Sequence, residues 1–330
     1  MKIIKTILAT ALLATATSTV VYANSSEQQL GQKSAEQLDV DAQYKLGFAY
    51  QLEKDYQQAL KWYEKAAEQG HAGAQRKLGL MYKFGKGVPL DFQQAIKWYE
   101  KAAEQGDATA QYNLGDIYDF QKDYQQAIKW YEKAAAQGDE MSQNILWKMF
   151  YNGQVVKQDY QRAVKWLEKL ALKGFESAQY TLALMYYDGK GIQQDYQQAA
   201  KWLEKAAEQG YAEAQYNLGV MNVNGQGVKQ DYKQAFKWFE KAAEQGLKEA
   251  QYNLAWMYHN GQGVKKNYKQ AFKWYQTAAE QEDAQAQYNL AGMYYEGRGV
   301  KQNYKKAKIW LGKACKNGHQ QACDFLKKLK

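Results

Sequence analysis

Few side chains in this 330-residue chain are placed to do chemistry. Its three histidines, His71, His259 and His319, stand far apart, and none belongs to an H-x-H or H-E-x-x-H motif or to a paired-cysteine, paired-histidine spacing. A metal site needs its ligands at such short, fixed intervals, so none is expected. Beyond residue 23 the serines are Ser25, Ser26, Ser34, Ser142 and Ser177; none opens S-x-x-K and none lies in G-x-S-x-G. The G-x-G pieces, such as Gly189-Lys190-Gly191, recur along the chain. A phosphate cradle would occur once, at a strand–helix junction, so these pieces read as turns. Two cysteines remain, Cys315 and Cys323. They form either a disulfide or a pair of buried thiols. No catalytic residue, metal or cofactor is expected, and the chain reads as a non-enzyme.

The elements that must position these residues come from the rest of the chain. At 46% hydrophobic and 24% charged, the composition is that of a folded protein, and the only proline, Pro89, leaves long helices possible. The N-terminus carries Lys2 and Lys5, an apolar stretch from Ile7 to Val21, and Val21-Tyr22-Ala23 with small residues at −3 and −1. That is the layout of a secretory signal peptide over 1–23, cleaved after Ala23. The apolar stretch is shorter than the ~20 residues that span a bilayer, and no later run is long enough. The expected location is periplasmic or secreted, with no integral membrane segment after cleavage. Loss of Lys2 and Lys5 lowers the formal charge from +9 to +7. The lysines recur and alternate with glutamate, as in KWYEKAAEQG at 61–70. They read as a solvated helix face rather than a nucleic-acid patch.

Self-similarity dominates the chain. Tryptophan recurs at 62, 98, 130, 166, 202, 238, 274 and 310, at intervals of 36 with a single interval of 32. This sets eight repeats: 39–70, 71–106, 107–138, 139–174, 175–210, 211–246, 247–282 and 283–318. A polar segment at 24–38 precedes them. A capping helix at 319–330 follows, with Phe325, Leu326 and Leu329 on its apolar side. In the sixth repeat Ala214, Leu218, Gly219, Met221 and Val223 have helical spacing. A glycine turn follows, and Asp231 is placed to cap a second helix, with Gln234 closing a capping box. Tyr232, Ala235, Phe236, Phe239, Ala242 and Ala243 form that helix's buried stripe. Gly246 stops it. Repeats one and three lack four residues between their helices and should turn more tightly. Repeat four has Trp147 where Gly219 stands and Val155 where Gly227 stands, which suggests an altered angle near 115–160. Repeat seven has Glu282 in the place of the stop glycine and should end differently.

The pattern A-x-x-L-G-x-M-Y-x-x-G-x-G-V-x-x-D-Y-x-x-A-x-x-W-Y-x-K-A-A-E-Q-G resembles the Sel1-like repeat family, relatives of the tetratricopeptide repeat. The resemblance implies an all-α, right-handed α/α superhelix that binds a protein or peptide partner as a monomeric scaffold. It also implies that first helices line a concave groove. The groove candidates are Tyr112, Lys148, Tyr180, Tyr187, Tyr216, Tyr252, Trp256, His259, Tyr288 and Tyr295. Two of the columns they belong to vary between repeats while the W-Y-x-K-A-A columns hardly change. Either these side chains anchor a partner or the tyrosines pad the space between helices. A narrower alternative is an immunity-type inhibitor that neutralises one toxin by wrapping it; the family's cysteine-rich members also imply β-lactamase-like or cell-wall hydrolysis, for which this chain lacks a nucleophile constellation. Cysteine-rich members of the family carry C-x7-C across the same turn that Cys315 and Cys323 flank, which implies a disulfide here.

Overall fold

The computed structural model describes residues 38–328. The leader, residues 24–37 of the polar segment, and Leu329 with Lys330 lie outside the described residues. The chain divides into two compact units between Gln158 and Asp159. That division falls inside repeat four. The first unit holds α1 (Val40–Leu52), α2 (Tyr56–Glu68), α3 (Ala72–Phe84), α4 (Phe92–Glu104), α5 (Ala108–Phe120), α6 (Tyr124–Ala136) and α7 (Glu140–Asn152). The second holds α8 (Tyr160–Leu172), α9 (Glu176–Asp188), α10 (Tyr196–Glu208), α11 (Ala212–Asn224), α12 (Tyr232–Glu244), α13 (Lys248–Asn260), α14 (Tyr268–Glu280), α15 (Ala284–Glu296), α16 (Tyr304–Lys316) and α17 (Gln320–Lys328). No strand occurs among the described residues. Within each unit consecutive helices pack on one another, giving the all-α helix-pair solenoid expected from the sequence.

Helix pairs close because a small residue on the first helix lies under a ring on the second. A Cβ at Gly79 would stand 2.6 Å from the Tyr99 ring, one at Gly115 2.6 Å from Tyr131, and one at Gly219 2.6 Å from Phe239. Overpacking such a site forces rings and backbone apart. The second glycine of each long turn serves the next junction. At Gly227 a Cβ would lie 2.0 Å from the Tyr196 carbonyl oxygen of the preceding repeat. Val155 takes this place in repeat four and stays 40% exposed.

The start and stop signals hold with two corrections. Asp231 caps α12 by accepting from the Lys233 and Gln234 N–H groups at 2.8 and 3.1 Å. Gln234 does not complete the box, because the Asp231 N–H is already donated to the Asn222 carbonyl at 2.9 Å. Glu282 does not change how α14 ends. It takes the left-handed conformation at φ 64. Its N–H donates to Ala279 and that of Asp283 to Ala278, at 3.1 and 3.2 Å, as Gly246 and Leu247 donate to Ala243 and Ala242 in the repeat before. Repeats one and three do turn in three residues, with Lys54 and Lys122 at φ 63 and 64. Of the stripe expected in α12, Tyr232 and Phe236 are only half-buried.

Two side-chain arrangements repeat that the pattern alone did not show. The glutamine of each A-Q pair is buried and bonded on both sides. In α11, Gln215 donates to the Ala207 carbonyl at 3.0 Å and accepts from Gln245 at 2.8 Å. Gln75, Gln179 and Gln251 do the same with Ala67, Ala171 and Ala243. At the far end Cys315 replaces that alanine and Cys323 that glutamine, and the two form a disulfide with Cα atoms 4.7 Å apart. A covalent bond thus takes the place of the glutamine side-chain hydrogen bond across the same turn. Lysines also lie on tryptophans one helical turn away: Lys101 on Trp98 at 4.4 Å, Lys133 on Trp130 at 3.9 Å, Lys205 on Trp202 at 4.3 Å. Much of the basic surplus is held as cation–π pairs along each repeat.

Candidate binding face

The first helices present the candidate residues, at the position after A-Q and four and seven further on. In the first unit Tyr112 is half-buried, tilted on Tyr131 with ring centroids 6.0 Å apart. Lys148 is exposed on α7, its Nζ 5.8 Å from the Trp147 ring. The Trp147 indole donates to Asn144 Oδ1 at 3.0 Å. Polar groups accompany this face: Lys83 pairs with Asp116, and Arg76 with Asp107 at 2.9 Å. Burial, with Asp116 nearby, pushes the Asp119 carboxyl above its ordinary pKa.

In the second unit the tyrosines after A-Q are half-buried and tied to the next repeat. Tyr180 hydroxyl accepts from Asn217 at 3.2 Å. The Tyr216 hydroxyl lies near Asn253, and that of Tyr252 near Asn289 and Gln285. Burial raises the pKa of all three hydroxyls, so they stay protonated. Below the hydroxyls the rings rest on the second helix: Tyr216 lies 5.8 Å from Phe239 and Tyr252 5.8 Å from Tyr275. Tyr187 donates to Gln226 Oε1 at 3.1 Å and meets Tyr196 edge-on. The period of the pattern gave their helix face but not how deep they sit.

Five of the ten candidates converge. Tyr252, Trp256 and His259 from α13 and Tyr288 and Tyr295 from α15 line one cavity of about 510 Å³, with Phe325 of α17 in its wall. Trp256 also lines a neighbouring cavity of about 300 Å³ with Tyr216 and Val220. Tyr180 and Tyr187 line neither of these two. His259 meets Tyr268 and Tyr275 edge-on, at 5.1 and 6.3 Å, and its Nδ1 is buried without a hydrogen-bond partner. Burial pushes its pKa down; Arg298 and Lys266 add to this and Glu296 opposes it. Arg298 Nε lies 2.8 Å from Glu296 Oε2. Tyr288 stacks on His319, ring centroids 4.3 Å apart.

Sequence reasoning missed Asn289, Gln285, Arg298 and Phe325 as neighbours of this cavity. The Tyr-Asn pair recurs in α11, α13 and α15 and was the signal for the first of them. Phe325 was read only as a capping residue. Among the described residues no group of three or more His, Cys, Asp or Glu could hold a metal ion. No helix there is long and apolar enough to cross a membrane.

The Sel1 repeat pattern matches residues 40–71, 72–107, 108–139, 147–175, 176–211, 212–247, 248–283 and 284–319. The fourth match begins at Trp147 and omits the first half of α7. A protective antigen present in uropathogenic Escherichia coli strains, which displays an SLR fold, is 36% identical with a TM-score of 0.68 over 92% of this chain. This chain spans 66% of that antigen's length. A Sel1 repeat protein from Oxalobacter formigenes is 33% identical, with a TM-score of 0.60 over 97% of this chain and 99% of its own. No curated protein matches the chain.

Proposed function

Since the chain belongs to the Sel1 repeat family, whose proteins act as protein-interaction scaffolds, we propose that it is an exported, monomeric, non-enzymatic scaffold. Its partner is a protein or peptide, bound on the first-helix face of the second unit. Export rests on Lys2, Lys5, the apolar stretch that follows and Ala23. The binding reading rests on one observation above all. Beside the half-buried Tyr216, Tyr252 and Tyr288, and like Tyr295 at 36%, Trp256 is open to solvent at 37%. It borders both cavities of this face. A large ring left open beside preformed space is what interface anchors look like. The Tyr216 and Tyr252 side chains then act as its rigid surround.

The test is a photo-crosslinking residue placed at the exposed Asn260 on the rim of the larger cavity, with a second at the exposed Lys201 of α10 as control. One protein captured at stoichiometric yield from position 260 and not from 201 supports the reading. Trp256→Ala should weaken that partner's binding by about 1–2 kcal/mol with unchanged helical circular dichroism. Capture that is equal at both positions, or unchanged affinity in Trp256→Ala, would move the site elsewhere. Intact mass of the periplasmic protein should show cleavage after Ala23.

A further inference from the structure

Resting on the reading that this face binds a protein, we propose that the cavity bounded by α13, α15 and α17 is an anchor pocket for one uncharged aromatic side chain of the partner. Rings reach it from four helices: Tyr252 and Trp256 on α13, Tyr275 on α14, Tyr288 and Tyr295 on α15, Phe325 on α17. At about 510 Å³ it falls within the roughly 300–1,000 Å³ of preformed ligand sites. Its walls are set before any ligand arrives. The Tyr252 ring rests on Tyr275 at 5.8 Å, Tyr295 lies edge-on to Phe325 at 5.6 Å, and α17 is joined to α16 by the Cys315–Cys323 bond.

Charge decides the class of side chain. The two formal charges in the lining, Glu296 and Arg298, neutralise each other at 2.8 Å, and the Arg298 guanidinium also lies 5.7 Å over the Tyr268 ring. A lysine or arginine entering here would meet Arg298 and compete with it for Glu296. A carboxylate would meet Glu296. The one histidine of the lining, His259, has its pKa pushed down by burial and by Arg298 and Lys266, with Glu296 opposing; the downward shift disfavours its charged form. No wall charge is left to repay the desolvation of a charged ligand. An uncharged ring suffers no such loss. It also gains edge-to-face contacts that an aliphatic side chain lacks, worth about 2- to 10-fold in affinity.

The three histidines of the chain make the test direct. In the full-length, disulfide-bonded protein with isotope-labelled histidine, ring signals report His259 in the cavity, His319 beside it and His71 in the other unit. The probes are N-acetyl-tryptophanamide, N-acetyl-leucinamide and N-acetyl-lysinamide. The tryptophan amide should shift His259 saturably and leave His71 unmoved. The leucine amide should bind about 2- to 10-fold more weakly, and the lysine amide should give no saturable shift. Trp256→Ala should weaken the tryptophan amide at least fivefold. The proposal is overturned if the lysine amide shifts His259 at equal concentration, if His71 moves in parallel, or if no probe moves His259 up to its solubility limit. The two readings fail separately. A partner crosslinked at position 260 with an unresponsive His259 sinks the aromatic pocket alone. Saturation by the tryptophan amide with no crosslinked protein sinks the scaffold reading and leaves the pocket.

Discussion

Single atoms decide much of how this chain packs. A methyl group at Gly219 would lie 2.6 Å from the Phe239 ring, too close for a real contact. Gly219→Ala should therefore cost about 1–3 kcal/mol in chemical unfolding, although alanine is the better helix former. Gly312, also inside a helix, has nothing within 4 Å of its missing Cβ. Gly312→Ala should stabilise by about 0.5–1 kcal/mol, and the same sign for both substitutions would refute this account of the helix pair. Glu282 carries the opposite kind of strain. It holds a left-handed conformation that costs most residues about 1–2 kcal/mol. Glu282→Gly should raise the thermal midpoint while leaving the α14 stop unchanged, since its hydrogen bonds are already those of the glycine repeats.

At the scale of elements, helices and turns were readable because their causes are local: apolar spacing, an Asp before the second helix, a glycine after it. What escaped the pattern has partners far off in sequence. The Gln215 amide is settled by Ala207 before it and Gln245 beyond it, and no window of a few residues contains all three. The candidate face was legible in part for a related reason. Column position placed Tyr216 and Trp256 on one face, but their different exposure depends on what the second helix and the next repeat put beneath them. The last turn allows the amide arrangement to be tested. The double variant Cys315→Ala, Cys323→Gln restores the residue types of the other repeats, so the new amide should bond across the turn. The bridge should be worth about 2–3 kcal/mol and one such hydrogen bond about 0.5–1.5 kcal/mol. The variant should lose the difference and keep α17 folded. Reduction without replacement should speed amide exchange across residues 313–328 and spare repeats five to seven. Equal exchange gains in all of them would show that the bridge does not act locally.

For the whole molecule, nearest-neighbour packing is the governing fact. Within each unit, helices pack mainly on the ones before and after them, and α3 also meets α5. Stability is then a sum of repeat and junction terms. The junction of the second unit is the same each time: Gly227 rests on the Tyr196 backbone, Gly263 on Tyr232 and Gly299 on Tyr268, while Gln215 and Gln251 bond Ala207 and Ala243. Any block cut from one such junction to the next meets matching ends. Deleting residues 212–247 would set Gln251 against Ala207 and Gly263 against Tyr196. The shortened protein should fold, lose the smaller cavity with Tyr216, and keep the larger one, whose lining runs from Tyr252 to Phe325. Circular dichroism and the His259 ring signal would check it. A glycine without a side chain thus makes copy number itself variable. Unequal recombination could lengthen or shorten the binding face by whole repeats without inventing a new contact. Repeat four, with Val155 at the junction, is the place where such an exchange would be rejected.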